Sequence, residues 1–185
     1  MKLVDCYTEL ITYTAYLTEN VNTQQLPFDE VSAKYQELLS RAEESGSRGE
    51  FSEYERREAL FAVCAWIDES ILCSSWPERA KWGQQQLQRV YFNTTRAGEE
   101  FFIRLAALDE GAKSVREVYD YCLALGFKGR FFRAEDSGTL DQIEYNNLSL
   151  ISDNPVLPIP DAIFPDAYGK PGAQGAKGIG FSLIT

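Results

Sequence analysis

Two pairs of adjacent carboxylates hold the most obvious chemistry in this chain: Asp68-Glu69, inside the apolar run from Leu60 to Leu72, and Glu99-Glu100, just ahead of Phe101-Phe102. Two carboxyl groups facing each other at a suitable separation act as acid and base in glycoside hydrolysis, so a carboxylate-dependent hydrolase is one reading. Little else supports it. The chain contains no histidine, which removes the Ser-His-Asp and Cys-His nucleophile systems, the usual zinc sites and the Glu-x-x-His di-iron motif. Cys6, Cys64, Cys73 and Cys122 form no Cys-x-x-Cys pair and are scattered among apolar residues, so they read as small buried hydrophobes in a reducing compartment rather than as disulfides. No catalytic residue, metal, cofactor or small-molecule substrate is indicated.

The setting of Asp68 and Glu69 leaves two readings open. Leu60, Val63, Cys64, Ile67 and Ile71 form a helical stripe that Phe61 and Trp66 widen. A helix packed on most sides accepts acids only if they are paired or open into a cleft. Either one of the two caps a neighbouring helix or pairs with an arginine such as Arg89 or Arg104, or they line an acidic cleft that receives a partner's basic group. The cleft reading predicts that Asp68→Ala with Glu69→Ala weakens partner binding and leaves the helical spectrum intact. Downstream, Trp76 and Trp82 read as one core residue and one loop clasp. Gly98, at a helix start beside Glu99 and Glu100, signals close approach of another backbone. The segment Phe127-Lys128-Gly129-Arg130-Phe131-Phe132-Arg133 is a small basic island, read as a solvated and partly packed loop.

The elements that position these residues are helical. Apolar residues recur at steps of three and four, the mark of an amphipathic helix: Leu3, Cys6, Tyr7, Leu10, Tyr13, Leu17 and Val21 in the first, then Val31, Tyr35, Leu38, Leu39 and Ala42 in the second. In the first stripe Tyr13, rather than Thr14, follows Leu10. Helices are expected over 2–21, 29–44, 52–73, 77–92, 96–108, 114–125 and 139–151. Asp29 is expected to cap the second, and the Ser45–Gly49 stretch to end it. Ser52 with Glu55, Ser75 with Glu78, Ser114 with Glu117 and Thr139 with Gln142 each fit a capping box, in which two side chains satisfy amides at a helix start. Gly126 is expected in the left-handed conformation, with Phe127 folding back. The fold class is therefore all-α, with seven or eight helices over 1–151 and a Pro/Gly-rich tail or linker over 152–185.

The chain of 185 residues carries 28 acidic against 18 basic side chains, a formal charge of −10. Such a surface repels phosphate backbones, so nucleic-acid binding is not expected. The longest apolar run, Ala59 to Ile67, is far shorter than the roughly 18 residues a membrane helix needs.

Ala65-Trp66-Ile67-Asp68-Glu69, Trp76, Trp82, Gly98-Glu99-Glu100-Phe101-Phe102 and Leu123-Ala124-Leu125-Gly126-Phe127-Lys128-Gly129-Arg130, in that order and spacing, resemble the DotU/TssL family of bacterial type VI secretion, related to the DotU/IcmH proteins of type IVb systems. The resemblance covers about residues 5–168, including Phe164-Pro165-Asp166-Ala167-Tyr168. It implies a hook-like cytoplasmic domain of two short helical bundles without catalytic activity, at the cytoplasmic face of the inner membrane. It also implies a membrane helix at the C-terminal end, to which the linker-like tail would lead beyond Thr185. The partners implied are a TssM-like (IcmF-like) inner-membrane protein and baseplate components, with weak self-association. The residues carried over as partner-binding are Asp68, Glu69, Trp76, Gly98 and Glu99. One departure is that a single glycine precedes Glu99, where many relatives have two. The expectation is a scaffold linking membrane complex to baseplate; a helical regulator of an unrelated protein is a further alternative.

Overall fold

The computed structural model describes residues 1–20 and 26–152. Among these the chain is helical, without strands: α1 Thr8–Glu19, α2 Phe28–Arg48, α3 Glu53–Cys73, α4 Arg79–Gln84, α5 Leu87–Phe92, α6 Ala97–Ala107, α7 Lys113–Ala124 and α8 Ser137–Ile151, with short 3-10 turns at Leu3–Tyr7 and Ala134–Asp136. The all-α expectation holds. Val21, the 152–185 tail from residue 153 onward and the Phe164–Tyr168 segment lie outside the described residues.

The middle of α3 is apolar on every side, and a helix of that kind belongs in the interior. Phe61, Ala62, Val63, Cys64 and Ile67 are completely buried, and α3 packs against α1, α4, α5, α6 and α7. α3 is thus the common core: the first 3-10 turn also packs on it, while α2 lies against that turn and α1, and α8 lies against α7. Cys6, Cys64 and Cys122 are buried and free, as expected, whereas Cys73 at the end of α3 is exposed.

Several local expectations change. In α1 it is Thr14 that enters the core, because its hydroxyl donates to the Leu10 carbonyl at 2.8 Å and lies 2.8 Å from the Tyr35 hydroxyl. Tyr13 is only partly buried, edge-on to Tyr35. α2 begins after Pro27, with Asp29 inside the first turn rather than at the cap. It also runs through Gly46 to Arg48, since the bare Cα of Gly46 lets the Arg56 stem lie against it. Of the four capping boxes, only Ser52–Glu55 forms: the Glu55 carboxylate accepts from the Ser52 amide at 2.8 Å and the Ser52 hydroxyl from the Glu55 amide at 3.2 Å. α4 starts at Arg79, α7 at Lys113 and α8 at Ser137, leaving Ser75 short of its helix and Ser114 and Thr139 inside theirs. The single helix expected over 77–92 breaks at Gln85-Gln86 into α4 and α5, and the cause lies on α3.

Candidate functional site

Consecutive residues on a helix point about 100° apart, so Asp68 and Glu69 reach different neighbours. Asp68 is 1% exposed. Its Oδ1 accepts from the Trp82 indole and from the Leu87 amide, both at 2.9 Å, and its Oδ2 accepts from the Gln88 amide at 2.8 Å. The two amides are the first orphan donors of α5, which a helix start must satisfy somehow. Asp68 satisfies them from another helix, and this breaks the 77–92 segment in two. Burial pushes its carboxyl up to about 6, against the opposing pull of the three donors.

Glu69 points the other way and is partly buried. Its Oε1 accepts from the Lys128 amide at 2.7 Å and its Oε2 from the Gly129 amide at 2.8 Å. Burial raises its pKa, opposed by the two amides and by the charge of Lys128. The open acidic cleft is therefore not formed: one acid is sealed inside and the other is bound to a loop. Of the earlier alternatives, capping a neighbouring helix is what Asp68 does. Arg89 and Arg104 are not its partners; Arg104 instead bonds Glu58 at 2.8 Å.

The loop held by Glu69 is fixed at three further points. α7 ends with the Gly126 amide bonded to the Leu123 carbonyl at 2.8 Å and the Phe127 amide to the Cys122 carbonyl at 3.0 Å. That paired closure needs a left-handed residue, and Gly126 supplies it with φ 93°. Phe127 then folds back as expected, its ring 4.3 Å from that of Phe101. Finally, the Arg130 amide donates to the Gly98 carbonyl at 3.0 Å. The backbones meet so closely that a Cβ on Gly98 would lie 3.2 Å from the Gly129 Cα, and one on Gly129 would lie 2.3 Å from the Gly98 oxygen. The close approach predicted at Gly98 is present. The Gln88 side chain ties this corner to α5 by accepting from the Ala97 amide at 2.9 Å.

Beyond this clamp the loop is presented to solvent. Phe131 leans edge-on against Phe102 at 4.7 Å, Phe132 is 69% exposed, and Lys128, Arg130 and Arg133 are exposed beside it. The basic island is a solvated, partly packed loop, and its backbone is held in one conformation. The remaining predicted residues fall as follows. Both tryptophans are core, correcting the clasp: the Trp76 indole donates to the Leu26 carbonyl at 3.1 Å, and that of Trp82 to Asp68. The Glu99 side chain is 40% exposed and held by Arg96. Glu100 accepts from the Thr94 hydroxyl at 2.5 Å. None of Asp68, Glu69, Glu99 or Glu100 lines either of two surface cavities, of about 340 and 250 Å³.

A buried polar junction escaped the sequence reading. Arg116 donates to the Leu108 carbonyl at 2.6 Å and to the Asn147 side chain at 3.3 Å, and Asn147 returns a bond to the Arg116 carbonyl at 3.0 Å. One signal for it was available: Asn147 sits in the stripe Leu140, Ile143, Asn147, Ile151.

The clamp joins the very segments whose order suggested a family, and comparison with known proteins decides the matter. A family profile described as type VI secretion system protein DotU matches residues 2–157. The chain belongs to the DotU family. Among solved structures, the DotU-family chain is similar to the cytoplasmic domain of TssL from Acinetobacter baumannii, with 29% identity, a TM-score of 0.69 and coverage of 82% of this chain and 97% of that one. It shares the fold of TssL from Vibrio cholerae at 18% identity and TM-score 0.68, covering 80% and 94% of the two chains. It likewise shares that of SciP/TssL from enteroaggregative Escherichia coli 042 at 23% identity and TM-score 0.60, covering 84% and 95%. No curated protein matches. Among the described residues no helix is long and apolar enough to cross a membrane.

Proposed function

We propose that this DotU-family chain is a non-enzymatic adaptor at the cytoplasmic face of the inner membrane, joining a TssM-like membrane protein to baseplate components. The observation that carries the reading is the loop 128–133. Glu69, Gly98 and Gly126 hold its backbone, and it offers an exposed aromatic ring flanked by cations. Fixing a loop before binding lowers the ordering cost of association, and an aromatic residue with arginines around it is the composition of an interface anchor. The acids of a hydrolase would be expected to face one another across a cavity. Here Asp68 and Glu69 spend their lone pairs on backbone amides and an indole.

On this reading Asp68, Glu69, Trp76 and Gly98 affect partner binding as positioning residues. Glu99, exposed beside the loop, is the one of the five able to touch a partner directly. The test is co-purification of TssM-like and baseplate proteins from the source bacterium with the tagged chain. Phe132→Ala with Arg130→Glu is expected to lose at least one of them while the far-ultraviolet spectrum stays unchanged. Retention of all of them by the double variant would refute the loop as the docking surface.

A further inference from the structure

We propose that Gln88 is a further positioning residue for the loop 128–133, and that through it the seat of α5 and the setting of the loop form one coupled unit; the functional consequence rests on the reading of that loop as the docking surface. Neither α5 nor α6 caps its own start: Gln86 and Arg96, the residues that precede them, make no side-chain capping bond. The orphan amides of a helix start need acceptors all the same. Asp68 of α3 supplies them for α5, at Leu87 and Gln88. Gln88 of α5 in turn supplies one for α6, its Oε1 accepting from the Ala97 amide at 2.9 Å. Its Nε2 donates to the Gln86 side-chain oxygen at 3.2 Å, which leaves the Gln88 oxygen turned towards Ala97.

These links close into a circuit. Next to Ala97 is Gly98, whose carbonyl accepts from the Arg130 amide at 3.0 Å. One residue back along the loop, the Gly129 amide donates to Glu69 at 2.8 Å, and Glu69 adjoins Asp68 on α3. The helix α3 therefore reaches the loop by two routes, directly through Glu69 and the long way round through Gln88. Three features make the long route stiff. Gln88 is buried, so water does not readily replace it as the acceptor at Ala97. The helix α5 has six residues, too few to persist without bonds from outside it. At the far end Gly98 and Gly129 meet backbone to backbone, with too little space for a Cβ on Gly129. A shift at the start of α6 thus bears directly on the loop, as close packing transmits strain.

The test is amide hydrogen exchange, read residue by residue by nuclear magnetic resonance, on the full chain and its Gln88→Met variant, which keeps the side-chain length and loses the acceptor. The Gly129 and Arg130 amides, which donate to Glu69 and Gly98 rather than to Gln88, are expected to exchange at least fivefold faster. The Tyr119 amide, in the middle of α7, should keep its rate. In the reverse direction, Glu69→Ala should speed exchange at the Ala97 amide at least threefold, since coupling is reciprocal. Native rates at Gly129 and Arg130 in Gln88→Met would overturn the proposal. An equal rise at Tyr119 would do so too, because it marks opening of the whole domain. Should Gln88→Met fail to fold, the Ala97 rate in Glu69→Ala decides, and a native value there overturns the coupling. These measurements need no partner, so they can fail separately from the co-purification that tests the loop as docking surface. In that co-purification Gln88→Met should recover at most half of the partner that the loop double variant loses, and full recovery of it would overturn the positioning role.

Discussion

Removing the Glu69 carboxylate should release the loop after α7 without unfolding the domain. Glu69 accepts two amide hydrogen bonds, at 2.7 and 2.8 Å, from Lys128 and Gly129. Each bond to an ionised acceptor contributes about 1.5–3 kcal/mol when sheltered from water. Glu69 is only partly buried, so water recovers part of that in the Glu69→Ala variant. A fair figure for the pair is about 2–3 kcal/mol of local stability, roughly a 30- to 150-fold rise in the open population of the loop. Trypsin reads this directly, because Lys128, Arg130 and Arg133 are all in the segment. When the loop recloses faster than it is cut, cleavage tracks the open population. Initial cleavage after these three residues should therefore accelerate by that factor, while helical circular dichroism stays native. Glu69→Gln, which keeps one acceptor oxygen, should fall between. Cleavage at the wild-type rate in Glu69→Ala would refute the claim that this carboxylate holds the loop.

Asp68→Ala strands three donors in the interior, including the Trp82 indole, and should cost about 3–5 kcal/mol in urea unfolding. The double alanine variant is accordingly expected to lose fold as well as binding. Because burial raises the Asp68 carboxyl from 3.8 to about 6, the folded chain binds more protons than the unfolded one between those values. The contribution of this residue is thus greatest below 3.8 and falls, by something on the order of 2–3 kcal/mol, as pH rises to 6. Urea midpoints across that window should show this slope, and Asp68→Asn should flatten it. Gly129→Ala combines a φ of 50° with a Cβ 2.3 Å from the Gly98 oxygen. A thermal melt should register a loss of about 2 kcal/mol or more. Asn147→Ala removes one of the acceptors of a buried arginine and the donor to its carbonyl, and a loss of about 2 kcal/mol should appear in the same melt.

What the sequence revealed, and what it did not, follows from the range of each interaction. Helix faces were legible because burial repeats along a stripe, and the α7 terminus because Gly126 and Phe127 act within one turn of it. Gly98 was legible for a similar reason: a glycine where a helix begins has few other uses. The break at Gln85-Gln86 was not legible. The residues from Pro77 to Phe92 read as one helix because the group that breaks it is Asp68, one helix away. The capping-box pattern overreached because it does not fix where a helix starts. Lys2 and Asp5 close the first turn with a 2.7 Å bond from the Lys2 amide, while Ser114 and Thr139 fell inside their helices. As for the acids, their cost in an apolar helix was plain from composition. Which groups met that cost depended on α4 and α5 for Asp68 and, for Glu69, on the loop at Lys128 and Gly129.

Because Asp68 and Glu69 are successive residues of one rigid rod, the two junctions they make share a single angular setting. A twist of α3 about its long axis swings both carboxylates in the same sense, slackening the seat of α5 and the Lys128–Gly129 turn together. A one-residue deletion upstream within the rod would rotate both through about 100° at once. The doublet therefore behaves like two teeth on one spindle, and evolution can tune either tooth but must keep the shaft in phase.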